Sequence, residues 1–158
     1  MKEIKHWLGI FFGAGLIPFG PGTWGSLAAL PFIYAAAIAF PAGGAFLFAI
    51  AASLLSLYTA DENIRRYGDD PPQFVMDEVA GQALVFSLIS FSGSLPSDAL
   101  LLAGGFVLFR LFDITKVLGI SYVEQFRGKY GILWDDLLAG FYALLCLDVL
   151  QLLWISIF

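Results

Sequence analysis

The sequence predicts an all-α protein, a polytopic membrane bundle of about five main helices with an N-terminal re-entrant or interfacial segment. Three observations carry that reading. Hydrophobic residues make up 59% of the 158 residues and charged residues 13%, where soluble domains average about 45–50% and about 25%. The stretch Trp7–Ala60 contains no acidic, basic or histidine residue over 54 positions. Val79–Ser97, Ala99–Phe109 and Leu137–Leu147 are uncharged as well. An apolar run of about 18 or more residues is the signature of a spanning helix. A soluble domain of this size has too much surface to leave 54 consecutive residues uncharged, so the soluble and disordered classes are set aside. No linker or second domain interrupts residues 1–158.

The breakers place each element in turn. The first helix runs from about Thr23 to Phe40 and ends at the turn Pro41-Ala42-Gly43-Gly44. The second runs from Ala45 to about Ala60. A polar loop, Asp61–Met76, follows, with Gly68, Pro71 and Pro72 as its strongest punctuation. The third helix is expected over Asp77–Phe91, before the turn Ser92–Ser97. The fourth covers about Asp98–Ile114. Another polar loop, Thr115–Trp134, carries Gly119, Gly128 and Gly131, and the fifth helix starts at Asp135. A seventeen-residue helix rises about 26 Å against a hydrocarbon core of about 30 Å, so local bilayer thinning or an interfacial site is expected. The segment Trp7–Phe19 is apolar but rich in glycine and bounded by Pro18 and Pro21. It reads as re-entrant or interfacial rather than as a cleaved signal, because irregular backbone must be covered by protein. Trp7, Trp24, Trp134 and Trp154 fall near segment ends, as an interfacial belt requires. Cys146 and the many Phe residues read as packing or lipid-facing groups.

Charge sets the orientation. The basic residues are Lys2, Lys5, Arg65, Arg66, Arg110, Lys116, Arg127 and Lys129. All fall on one side of a five-helix bundle, and the positive-inside rule makes that side cytoplasmic. The protein is therefore expected to be a multi-pass protein of the cell's inner (cytoplasmic) membrane. Of thirteen acidic residues, only Asp98 and Asp148 lie elsewhere. The net charge of −5 excludes a nucleic-acid footprint. One cysteine and one histidine, His6, leave no disulfide framework, no CxxC site, no His-based zinc site and no Ser-His-Asp triad.

The acidic residues converge. Asp77 and Glu78 open the third helix, Asp113 closes the fourth, and Asp135 and Asp136 open the fifth; Asp61 and Glu62 end the second. Oxygen ligands from separate segments, without His or Cys, suit Mg²⁺. The plainer reading is that acids at helix N-termini cap them and complement the macrodipole. That explains any one pair but not Asp113, which sits at a C-terminus. Arg110, Asp113 and Lys116 are spaced i, i+3, i+6, so Arg110 either pairs with Asp113 or, with Lys116, holds a phosphate while Asp113 meets a metal. Asp77-Glu-Val-Ala-Gly81 and Asp136-Leu-Leu-Ala-Gly140 both read D-x-x-A-G. A glycine one turn below each acid would let another helix approach closely. The segment Gly20-Pro21-Gly22-Thr23-Trp24-Gly25-Ser26 precedes the first helix. Its backbone N–H groups and the Thr23 and Ser26 hydroxyls form either a phosphate cradle or a tight N-cap. Asp148 lies about 18 Å along the fifth helix from Asp136, too far for shared chemistry, and is expected to bond or pack against another helix.

Four blocks occur in the order found in one family: Pro21-Gly-Thr-Trp-Gly-Ser-Leu27, Asp77-Glu-Val-Ala-Gly-Gln82, Phe109-Arg-Leu-Phe-Asp-Ile-Thr-Lys116 and Gly131-Ile-Leu-Trp-Asp-Asp-Leu-Leu-Ala-Gly140. In these blocks the chain resembles the phosphatidylglycerophosphatase A family over nearly its whole length. One departure is visible: the family's K-P-x-P-I is Lys116-Val-Leu-Gly-Ile120 here, and losing both prolines should loosen that loop. The resemblance implies a Mg²⁺-dependent phosphatase that converts phosphatidylglycerophosphate to phosphatidylglycerol and phosphate in phospholipid biosynthesis. It implies Asp77, Glu78, Asp113, Asp135 and Asp136 as holders of one or two Mg²⁺. Of these, Asp77, Glu78, Asp113 and Asp136 are the catalytic candidates, with a general-base role for one of the carboxylates as the alternative to metal binding. Arg110, Lys116, Thr23 and Ser26 would bind the substrate phosphate. No D-x-D, CX₅R or histidine nucleophile is present, which leaves attack by water or by a carboxylate. On composition and spacing alone, a divalent-cation transporter and a non-enzymatic membrane subunit remain alternatives.

Overall fold

The computed structural model describes residues 1–117, 119–123 and 128–157, without the side chains of 121 and 154–157. It is all-helical: α1 (Lys2–Gly9), a 3₁₀ segment (Phe11–Leu16), α2 (Pro21–Ala39), α3 (Gly44–Tyr67), α4 (Met76–Leu84), α5 (Leu95–Thr115), α6 (Ile120–Val123) and α7 (Lys129–Ile157). Four of these, α2, α3, α5 and α7, are long and apolar enough to cross a membrane. Arg127 and the Trp154 side chain lie outside the described residues.

Several elements depart from the sequence reading. The third predicted helix, Asp77–Phe91, stops at Leu84. Nine residues rise about 13 Å, roughly half the hydrocarbon core. The chain then continues as turns and irregular backbone, with Val85, Phe86 and Ile89 buried. Such backbone is tolerated at membrane depth because the surrounding helices cover it. The second predicted helix does not end at Ala60 but continues to Tyr67. Its charged last turns are neutralised within the helix: Glu62 accepts hydrogen bonds from Arg65 at 2.6 Å and Arg66 at 2.7 Å. Lastly, α1 is a helix of its own. His6 Nδ1 donates to Asn63 Oδ1 at 3.1 Å, Arg66 pairs with Glu3 at 2.5 Å, and Lys5 lies over the Tyr58 ring, so α1 is strapped along the end of α3. Ile4 and Trp7 stay exposed on its outer side, which fits an interfacial placement.

The far end of the bundle is closed around Asp98, which is fully buried. Its carboxylate accepts from the Tyr34 hydroxyl at 2.9 Å, the Ser92 amide at 2.8 Å and hydroxyl at 2.9 Å, and the Gly93 amide at 2.9 Å. One buried acid thus ties α2, the chain before α5 and α5 itself together. Asp148 is half-buried on α7 and makes no hydrogen bond or ion pair among the described residues, so the expected bond to another helix is absent there.

Glycines set the closest approaches. A Cβ on Gly140 would collide with the Gly81 carbonyl oxygen, and one on Gly81 would lie 2.5 Å from the Asp136 carbonyl oxygen and 2.7 Å from the Phe109 ring. The two D-x-x-A-G segments therefore pack backbone to backbone. Gly140→Ala should force α4 and α7 apart. The expected result is a folded protein whose thermal midpoint in detergent falls by several degrees and whose activity falls with it, read by fluorescence-detected unfolding and phosphate release. An unchanged midpoint would contradict the contact.

Candidate active site

The shared end of α2, α4, α5 and α7 gathers the charged residues. Asp77 and Glu78 occupy the first turn of α4. Asp135 and Asp136 do not open their helix as expected, because α7 begins at Lys129, almost two turns earlier. They are interior positions, so capping does not explain them. Gly140 seated against Gly81 brings Asp136 level with Asp77 and Glu78, and one carboxylate oxygen from each of the three lies within 4.8 Å of the others. Asp77 and Asp136 are buried. Glu78 Oε2 and Asp136 Oδ1 are buried and have no hydrogen-bond partner among the described residues.

The other two acids have different partners. Arg110 Nη1 stands 2.6 Å from Asp113 Oδ2, the i, i+3 pairing that the spacing offered. Lys116 pairs closely with Asp135 and stands 3.6 Å from Asp113. Lys116 reaches Asp135 from a left-handed backbone conformation, φ 49°, just past the end of α5, which turns the side chain back across the bundle. Asp61 and Glu62 do not join the cluster: Asp61 pairs with Lys129 at 2.8 Å, and Glu62 holds Arg65 and Arg66.

The start of α2 completes the wall. Gly22 faces Glu78 so closely that a Cβ there would collide with Glu78 Oε1 and lie 3.3 Å from Arg110 Nη1. No side chain caps this helix end, and Gly20 enters it in a left-handed conformation, φ 61°. Thr23 is half-buried on the first turn. Ser26 is fully buried and donates to the Gly22 carbonyl at 2.8 Å, so its proton is committed to the helix.

The electrostatics are one-sided. Five carboxylates, Asp77, Glu78, Asp113, Asp135 and Asp136, face two cations, Arg110 and Lys116. Buried charge of one sign must be neutralised by a counter-ion or by protons. Burial first, and then the neighbouring Glu78 and Asp136 charges, push the Asp77 carboxyl well above the usual range. Burial likewise raises Glu78 to about 7, against the opposing hydrogen bond from Asp77, with Asp113 adding to the rise and Arg110 opposing it. For Lys116, burial opposes the charge, but Asp135, Asp136 and Asp113 together hold its pKa above the ordinary value. Asp77, Glu78 and Asp136 are thus placed to hold a cation. An apolar groove between α3 and α7, lined by Phe46, Leu54, Trp134, Leu137 and Phe141, contains no acid and is separate from this site.

The phosphatidylglycerophosphatase A family profile matches residues 7–151. The chain belongs to that family. It is 36% identical over 152 residues to the phosphatidylglycerophosphatase A of Haemophilus influenzae, covering 92% of this chain and 88% of the relative. It is 33% identical over 142 residues to the phosphatidylglycerophosphatase A of Escherichia coli K12, covering 89% and 79%. A Bacteroides thetaiotaomicron protein named "Putative phosphatidylinositol-3-phosphatase" is 33% identical over 148 residues, covering 90% of each. No solved structure matches the chain. As a member of this family the protein is a membrane-embedded phosphatase.

Lys116 and Asp135 should behave as one unit. In a double-mutant cycle with Lys116→Met and Asp135→Asn, a coupling of about 1–3 kcal/mol is expected in unfolding free energy, with Lys116→Met the more damaging single change because it strands Asp135. Additive effects would contradict the pairing.

Proposed function

We propose that the protein is a divalent-cation-dependent lipid phosphatase that hydrolyses phosphatidylglycerophosphate to phosphatidylglycerol and phosphate in phospholipid synthesis, with Mg²⁺ as its cation. The observation that carries the reading is the meeting of Asp77, Glu78 and Asp136 within 4.8 Å, beside Arg110, Lys116 and the open end of α2. The two relatives named phosphatidylglycerophosphatase A support the substrate. The donor set is made of carboxylate oxygens, two of them buried and without a hydrogen-bond partner among the described residues, and this fits a hard cation that keeps room for water and phosphate. When bound, such a cation withdraws charge from the phosphoryl oxygens and lowers the pKa of water.

The chain's own groups divide the remaining work. Arg110 and Lys116, held in place by Asp113 and Asp135, attract the dianionic phosphate and steady its non-bridging oxygens. The free N–H groups at the start of α2, with Thr23, add neutral donors. Water attacks phosphorus on the side opposite the glycerol oxygen. A carboxylate of the triad takes its proton, the P–O bond to glycerol breaks, and the departing oxygen is protonated to the hydroxyl of phosphatidylglycerol. Protonation of the triad in place of cation binding would remove this function. The positive-inside rule puts the site on the cytoplasmic face of the inner membrane, where the basic residues collect.

Phosphate release by purified protein in detergent micelles tests the reading. Release from phosphatidylglycerophosphate is expected with Mg²⁺, none with EDTA, and none from Asp136→Asn despite an unchanged thermal midpoint. Phosphatidic acid, lysophosphatidic acid and phosphatidylinositol 3-phosphate run alongside, the last because of the Bacteroides relative. Full activity of Asp136→Asn would remove Asp136 from the site. Failure on every lipid by folded protein would favour a transporter or a non-enzymatic subunit. For orientation, Ser97→Cys should react with an impermeant maleimide in spheroplasts and Asp69→Cys should not, both in a Cys146→Ser background. The reverse pattern would invert the topology.

A further inference from the structure

The largest of the fully buried polar side chains that the site as described does not use is a glutamine. Gln82 on α4 is fully buried, and neither its amide nitrogen nor its amide oxygen has a partner among the described residues. Leaving both ends of a buried amide unpaired is costly, and native interiors rarely do so without a water or ligand. Its position indicates what that ligand is. Gln82 follows Glu78 by four residues, so the two share a face of α4, with Gln82 one turn deeper. Helical side chains lean toward the N-terminus of their helix, which for Gln82 means toward the turn holding Asp77 and Glu78. The acceptor atoms without hydrogen-bond partners on that side are Glu78 Oε2 and Asp136 Oδ1, with Arg110 Nε and Nη1 as unsatisfied hydrogen-bond donors nearby. On the α2 side a Cβ on Gly22 would collide with Glu78, and one on Gly25 with Val75, the residue before α4.

We infer that Gln82 forms the floor of the site, its Nε2 donating to an oxygen atom bound between Glu78 and Asp136 and its Oε1 accepting from a water below. That oxygen belongs either to the substrate phosphate or to the attacking water. The inference rests on the phosphatase reading and assigns it a further group, one that enters the chemistry from beneath the acids rather than from the membrane surface. A neutral donor suits this position, because a cation there would pair with the acids and an acid would add to their repulsion. In the equivalent position of the second D-x-x-A-G segment the chain carries Phe141, so of the two segments only the one on α4 brings an amide.

The test compares the wild-type full chain with Gln82→Met, which keeps the volume and removes both polar ends, and Gln82→Glu, which keeps the shape and replaces the donor. Three quantities are read: phosphate release, the thermal midpoint, and Mg²⁺-dependent retention of radiolabelled inorganic phosphate. The expected result is a kcat about 10- to 100-fold lower in both variants, the loss of one hydrogen bond to a charged or polarised oxygen, with the Gln82→Met midpoint equal to or above wild type. A fall in kcat with unchanged KM and unchanged phosphate retention identifies the oxygen as the attacking water. A rise in KM with weaker phosphate retention identifies it as the phosphate's own. Wild-type kinetics in Gln82→Met overturns the inference, and so does a lowered midpoint with activity restored on cooling, which makes the residue structural. If the wild-type chain releases no phosphate from any lipid, the phosphatase reading fails by itself. Phosphate retention then decides on Gln82: weaker in Gln82→Met if it lines an anion site, equal or absent in both if it does not.

Discussion

The contact on which the rest depends is the one between Gly81 and Gly140. In a bilayer, apolar side chains gain nothing by leaving lipid for one another, so helices associate where small residues let their backbones meet. Here two helices entering the membrane from the same side meet at glycines placed four residues below Asp77 and Asp136. Equal spacing puts the acids at equal depth, which turns a packing contact into a charge cluster. Any side chain larger than hydrogen at either glycine separates the helices and the carboxylates together. The site's geometry is thus set by backbone, the least deformable part of the chain.

Around that contact the charges fall into two groups. Asp113 and Asp135 are occupied by Arg110 and Lys116 and act as braces that aim the cations. Asp77, Glu78 and Asp136 are left to one another. The cost of gathering three acids in a buried place appears in the raised carboxyls of Asp77 and Glu78. It is offset only in part by the α4 macrodipole, whose positive end lies at these two residues. A cation placed among these acids would relieve the repulsion that raises them.

Much of this is legible in the sequence because it follows from local spacing. The repeated D-x-x-A-G announced two close approaches, the i, i+3 spacing announced the Arg110–Asp113 pair, and the bias of charge toward one end announced where the site lies. What the sequence hides depends on distant partners. Nothing between Val85 and Phe91 breaks a helix, and the apolar run reads as a continuation; only the enclosing helices permit α4 to end at Leu84. The charges of Asp61–Tyr67 look like a loop until Glu62 is seen to neutralise Arg65 and Arg66 within the helix. Lys116 and Asp135, nineteen residues apart, have no periodic relation, and Gln82 stands in the block that carried the resemblance without any sign there that its amide would be left unpaired.

The strap that fastens α1 has a consequence for how the protein is made. Residues 2–9 leave the ribosome before the groups that hold them, because Asn63 and Arg66 come some sixty positions later on α3. Until α3 has crossed the membrane, α1 lacks the α3 surface to which His6, Glu3 and Lys5 are fastened, and its exposed Ile4 and Trp7 are the groups it offers to the lipid–water boundary. Early insertion of the chain therefore runs through a stage in which the N-terminal helix is a peripheral lipid-bound segment. It becomes part of the folded protein only when the second long helix has been threaded and its charged last turns have emerged on the starting side.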